Sequence, residues 1–133
     1  MNTAYKFSLT LLLASSLCLA DKNNVVPVMV GSNDNLDACS GLGVVTGLKS
    51  KRHGFLAVRA GPSQKFEIVD KLKASQKVYI CSSSEDGKWY GVVYSPNQTD
   101  ECGVTSPINP TQPYKGKCKS GWVNDHWIKL VAG

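Results

Sequence analysis

The chain predicts an all-β domain, and three observations carry that reading. From Cys39 onward Val, Ile, Tyr, Phe and Trp fall in short runs punctuated by Gly, Pro, Ser, Asn and Asp, a composition of strands and turns. No window holds a sustained helical period of apolar residues. Within the runs apolar and polar positions alternate, as at Leu56 and Val58 or Val78 and Ile80. A period of two sends successive side chains to opposite faces of a half-buried antiparallel sheet.

The runs, in order, are GVVTGL (Gly43 to Leu48), FLAVRA (Phe55 to Ala60), EIVDKL (Glu67 to Leu72), KVYICS (Lys77 to Ser82), KWYGVVYS (Lys88 to Ser95), GWV (Gly121 to Val123) and WIKLV (Trp127 to Val131). Short strands at this density over roughly ninety residues suit a small barrel or sandwich. The second run must stop at Gly61-Pro62, because Pro62 fixes its own φ, lacks an amide hydrogen and moves Gly61 out of helical geometry. Phe66 and Ile68 are then expected to re-enter the core. Asp86-Gly87 is a hairpin signal, since glycine accepts a positive φ, so the strands on either side should pair directly.

Upstream of these runs, residues 1–20 carry one positive charge at Lys6, an apolar stretch from Phe7 to Leu19, and Ala20 before Asp21-Lys22. That is the layout of a secretory signal peptide cleaved after Ala20, and the stretch falls short of the ~20 residues a membrane span needs. A lipoprotein acylated at Cys18 is the minor alternative, with bulky Leu17 against it. The mature chain then has no transmembrane segment and is expected to be periplasmic or secreted. Residues 21–42 read as a lead-in, with VVPVMV limited to an edge strand by Pro27 and GSNDNLD supplying turns. Residues 43–133 form the domain.

Losing Lys6 takes the formal net charge of +5 down by one. The clustered bases are KSKR (Lys49 to Arg52) and KGKCK (Lys115 to Lys119), short enough to be solvated loops. Nucleic acid is not the expected partner. Four cysteines remain after cleavage, Cys39, Cys81, Cys102 and Cys118, an even set in a small exported domain, which points to two disulfides. Spacing alone leaves three pairings open. Cys102 and Cys118 bracket the polar segment GVTSPINPTQPYKGK, so the preferred pairing is Cys102 with Cys118 and Cys39 with Cys81. A clasp on a loop of about 15 residues contributes on the order of 3 kcal/mol in the chain-entropy model. Zinc is the weaker reading, because the cysteines lack close ligand spacing and only His53 and His126 could join them.

Four ordered segments resemble the bacterial Src-homology-3-like (SH3b-type) domain family: VRAGPS (Val58 to Ser63), DKLKASQKVYI (Asp70 to Ile80), GKWYGVVY (Gly87 to Tyr94) and SGWVNDHWIKL (Ser120 to Leu130). The resemblance covers about Gly43 to Val131. It implies a small SH3-like barrel of five to seven short strands with one helical turn near Asn124 to His126. One departure stands out. Where the family joins the Trp-Tyr strand to Gly-Trp-Val by a tight turn, an insertion loop over residues 95–120 intervenes, stapled by the expected Cys102–Cys118 bond. Such an insertion costs little in closure entropy, and a loop this long is either functional or disordered.

No catalytic constellation emerges. A Cys-His pair competes with disulfide formation, and Glu85, Asp86, Asp100, Glu101 and Asp125 sit in turn-like contexts. No glycine-rich loop follows a strand and opens a helix. His126 beside Asp125 reads as a surface or capping residue, and Asn97-Gln98-Thr99 as an uninformative glycosylation triplet. No enzyme activity, cofactor or metal is expected. The aromatic residues are the better functional signal, because domains with this resemblance bind extended peptides along an aromatic side of the barrel. Alternation separates Trp89, Gly91 and Val93 from Tyr90, Val92 and Tyr94, so one set is expected in the core and one outside. Trp122 and Trp127 are read as structural, and Tyr90, Tyr94 and Tyr114 as ligand contacts. The expected function is a non-catalytic binding module of the bacterial cell envelope, docking a peptide, a peptidoglycan fragment of the cell wall or a protein. The alternative is a small inhibitor or immunity-type protein that blocks an enzyme with its stapled loop.

Overall fold

The structure is a computed structural model that describes residues 24–50 and 53–133, together with Leu12. The expected leader, Leu12 apart, lies outside the described residues. Among the described residues no helix is long and apolar enough to cross a membrane.

The strands are β1 (Met29–Val30), β2 (Gly41–Val45), β3 (Leu56–Arg59), β4 (Ile68–Leu72), β5 (Lys77–Ser83), β6 (Trp89–Tyr94), β7 (Gln112–Pro113), β8 (Lys119–Asn124) and β9 (Ile128–Ala132), with a 3-10 turn over Asp125–Trp127. Each sequence run supplies a strand. Trp127 leaves the last run for the 3-10 turn because Asn124 caps it, its side chain accepting the His126 amide at 3.0 Å. Seven strands form one sheet in the order β4-β3-β8-β6-β5-β2-β9, and β1 pairs with β7 in a small second sheet. The chain is thus all-β with two disulfides. Backbone pairing does not close the large sheet into the expected barrel, since β4 and β9 remain its edges.

Both edges are interrupted. The register passes from Val58↔Asp70 to Arg59↔Ile68, leaving Val69 as a bulge in β4, and from Leu42↔Ala132 to Gly43↔Leu130, leaving Val131 as a bulge in β9. Bulges twist an edge away from further pairing. The bulge also explains one failed expectation. Ile68 is 41% exposed instead of buried, and Leu72, further along β4 at 1% exposure, is the residue that reaches the core.

At the turn after β3, Ala60 donates its amide to the Glu67 carbonyl at 2.9 Å, and a Cβ on Gly61 would collide with the Phe66 ring. Phe66 therefore packs on the turn. The β5–β6 hairpin forms as the sequence predicts: Gly87 has φ +71° and the Ser84 amide donates to the Trp89 carbonyl at 2.9 Å. The Ser84 hydroxyl and the Lys88 amide both donate to Asp86, holding its carboxyl below the ordinary value.

Two apolar cores lie on opposite faces of this sheet. The first gathers Val45, Leu56, Val58, Leu72, Val78, Ile80, Val92, Tyr94, Val123 and Ile128. The second gathers Val28, Val30, Ala38, Cys39, Trp89, Val93, Cys102, Val104 and Trp122. Each well-buried aliphatic side chain stabilises the fold by about 1.5–3 kcal/mol relative to exposure. The two cores overturn the expectation that only one face of β6 is buried: Trp89 and Val93 enter one core, Val92 and Tyr94 the other.

The cover on the second face comes from the two segments without strong strand signals. Residues 24–42 pack against this face. The Val26 amide donates to the Ala60 carbonyl at 2.8 Å, the Trp122 indole to the Val26 carbonyl at 2.8 Å, and the Ser82 hydroxyl to the Met29 carbonyl at 2.7 Å. The insertion is laid over the same face, with the amides of Ala38 and Cys39 donating to the carbonyls of Ser106 and Val104, and Tyr114 donating to Val28. The disulfides are Cys39–Cys81 and Cys102–Cys118, the pairs preferred from the sequence. Cys81 is itself a bulge in β5, where the register moves from Ile80↔Val92 to Ser82↔Gly91.

Candidate functional site

The three tyrosines named from the sequence do not form one surface. Tyr94 is only 1% exposed and lies in the first core, its hydroxyl donating to Asp70 Oδ2 at 2.7 Å. This corrects its assignment as a ligand contact. Tyr94 faces inward because it shares a face with Val92, and the Asp70 carboxylate gives its buried hydroxyl a partner. Tyr114 is half-buried against the second core. Its hydroxyl donates to the Cys102 carbonyl at 2.9 Å and accepts the Cys118 amide at 3.1 Å. It braces both ends of the disulfide loop, away from the residues that line the Tyr90 groove. Tyr90 is half-buried and lines a shallow groove of about 360 Å³ with Ile80, Ser83 and Leu130.

Around Asp70 the charges are balanced locally. Burial pushes the Asp70 carboxyl up, but the Tyr94 hydroxyl, the Lys71 amide and Lys119 outweigh it and the net pKa is lowered. Lys119 Nζ stands 3.3 Å from Asp70 Oδ2. Burial, with the hydrogen bond and charge of Asp70, pushes the Tyr94 phenol well above its ordinary value. Tyr94, Asp70 and Lys119 thus form a structural triad.

A larger and more apolar concavity lies elsewhere, in a groove of about 510 Å³ between the loop before β3, the β3–β4 turn and the 3-10 turn; a hollow of equal volume over residues 31–40 is lined mainly by small and polar residues. The apolar walls of the groove are Leu48, Phe55, Leu56, Ile68, Trp89 and Trp127, and its charged residues are Lys49 and Arg59. Local structure fixes each wall. Trp89 opens β6 opposite Asn124, and its amide donates to the Ser84 hydroxyl at 3.1 Å. Trp127 is presented by the capped 3-10 turn, and its carbonyl accepts the Thr46 amide at 2.9 Å. His126 meets the Trp127 ring edge-on at 4.9 Å between centroids.

On the opposite wall Arg59 Nη1 donates to the carbonyls of Phe66 at 2.9 Å and Gln64 at 3.1 Å, tying the turn to its own strand. Phe55, 46% exposed, stands at the rim with the Lys71 ammonium 4.5 Å from its ring centroid. An apolar trough with a few fixed polar groups can hold a ligand side chain and orient its backbone. It holds no nucleophile–base pair. Glu85, Asp86, Asp100 and Glu101 are exposed and line no part of it. Among the described residues no group of three or more His, Cys, Asp or Glu side chains is placed to hold a metal ion.

Sequence reasoning missed Phe55, Arg59 and Trp89 as groove residues and read Trp127 as structural. The available signal was the apolar VVPVMV lead-in: once it covers one face of β6, both alternating sets of that strand are enclosed. The accessible aromatic surface then has to come from the ends of strands. Compared with protein-family models, curated proteins and solved structures, the chain has no match.

Proposed function

We propose that this protein is an exported, non-catalytic binding module that docks an extended peptide, cell-wall fragment or protein segment in the groove between Phe55 and Trp127. The observation that carries the reading is the groove itself: six apolar walls with an anchored Arg59 and an exposed Lys49, and a half-exposed aromatic ring at its mouth. The resemblance to bacterial Src-homology-3-like domains supports it, because its four segments supply β3, the turn before β5, β6 and β8, which surround or support this trough. On this reading β4 and β9 are the margins of a bent, partly open SH3-like barrel, and the insertion is an added outer layer. Two disulfides suit an oxidising compartment such as the periplasm or the cell exterior.

The inhibitor reading asks for a protruding loop. The stapled insertion instead lies back on the sheet, with Cys102 at 4% and Val104 at 1% exposure, so the groove is the preferred contact surface. Retention of envelope proteins and of purified peptidoglycan on immobilised mature protein tests the proposal. Phe55→Ala should lower retention about tenfold, as loss of one central aromatic contact does, while Tyr90→Ala leaves it unchanged. Equal retention by Phe55→Ala and the unmodified chain would remove the groove from consideration.

A further inference from the structure

We infer that the groove selects an acidic ligand: an extended peptide segment in which an apolar side chain is flanked by carboxylates. This rests on the groove being the docking site, and it adds the chemistry of the occupant. The charged residues lining the groove are Lys49 and Arg59, and no carboxylate lines it. At the rim Lys71 lies over Phe55. The chain from Leu48 to Phe55 reads LKSKRHGF, which adds Lys51 and Arg52 in sequence and no acid. Glu67, Asp70 and Asp125, the acidic residues next to groove elements in sequence, do not line it, and Asp70 is paired with Lys119.

Arg59 gives the charge a direction. Its Nη1 is committed to two backbone carbonyls of the β3–β4 turn, which immobilises the guanidinium. Its Nε and Nη2 donors have no protein acceptor among the described residues. A planar fork held in place with donors to spare matches a carboxylate. Lys49 supplies a second, mobile charge. The apolar walls between them then take a Leu-like or aromatic side chain, as in an extended peptide whose alternate residues face the protein.

A nucleic acid fits less well. Base recognition on single strands needs open aromatic faces, whereas the Phe55 ring has Lys71 over it and Trp89 is 8% exposed. A peptide needs only the trough.

The test is a phage-displayed random dodecapeptide library selected on the full mature chain, in parallel with Lys49→Glu, Lys71→Glu and Phe55→Ala. Melting temperatures are measured for each variant. The unmodified chain should enrich sequences with Asp or Glu beside an aromatic or large aliphatic residue. Phe55→Ala should abolish that enrichment, each Lys→Glu change should weaken the selected peptides about tenfold, and raised salt should do likewise. Phe55-dependent enrichment without acidic residues, unaffected by either charge reversal, would leave the groove as the docking site and overturn the acidic ligand. Absence of any Phe55-dependent enrichment would overturn the docking reading, and this inference with it. Displacement of the peptides by oligothymidylate, with direct Phe55-dependent binding of that oligonucleotide, would assign the groove to nucleic acid instead.

Discussion

The two faces of strand β6 are enclosed by different means. Tyr94 and Val92 point into a core made of strand residues, which contains no cysteine. Trp89 and Val93 point into a core whose cover is drawn from residues 28–39 and 102–118, segments with two very short strands and many turns, held by both disulfides. The difference is one of local propensity. Runs of β-branched and aromatic residues make the sheet hold its own shape, while the cover lacks ladder hydrogen bonds along most of its length and is fixed by covalent staples and by side-chain bonds such as those of Tyr114. One face is the frame and the other is fastened to it.

The sharpest way to break this contrast is to hollow out the frame. Tyr94→Ala removes a buried ring and the Asp70 hydrogen bond, and should cost about 3–5 kcal/mol, read as a lower midpoint in urea unfolding. A cost under about 1 kcal/mol would mean that the first core is not the dominant one.

The staples should matter next. Replacing Cys102 and Cys118 by Ser should cost about 3 kcal/mol in the chain-entropy model. Amide exchange should accelerate over residues 102–118 and at Val28 and Val30, while β5 and β6 keep their protection. Uniform acceleration through β5 and β6 would show that the cover is part of the frame.

Tyr94→Phe sharpens the account of Asp70, at about 1–2 kcal/mol. The lowered Asp70 pKa means that its contribution is complete above the ordinary carboxylate value of 3.8 and is lost as pH falls through the folded value. The raised Tyr94 pKa means that its contribution is complete below the ordinary phenol value of 10.0 and is lost as pH rises further. As pH rises above about 10 the unmodified protein should therefore lose more stability than Tyr94→Phe, as denaturant titrations at each pH would measure. Parallel losses would contradict the assignment.

Phe55→Ala should have the smallest effect on stability, within about 0.5 kcal/mol, because the ring is half-exposed and belongs to neither core. A calorimetric scan checks this.

How far the sequence disclosed this arrangement follows the same division. The frame was legible: the seven apolar runs and the Asp86-Gly87 hairpin rest on local patterns, while the turn before β9 was expected from the resemblance alone. Cys39 and Cys81 lie 42 residues apart, yet with four cysteines after Ala20 their pairing is accessible by elimination once the other loop is chosen. The cover was not legible, because its contacts are long-range backbone bonds such as Ala38 to Ser106, which leave no periodic trace. That gap propagated to the site. With the second core unseen, Tyr94 was placed outside and Trp89 could not be located at the groove. Tyr114 lies four residues before Cys118 in sequence, and that spacing is the same whether its hydroxyl meets a ligand or braces Cys102 and Cys118.

On the proposed function, ligands meet the groove on the frame and not the stapled cover. Backbone amide and tryptophan indole NMR shifts of residues 21–133, titrated with the highest-affinity selected peptide, test this most directly. The predicted result is a saturable shift confined to Lys49, Phe55, Arg59, Trp89 and Trp127. Shifts centred on residues 97–118, with Phe55 and the Trp127 indole unmoved, would contradict it and transfer the binding surface to the disulfide loop.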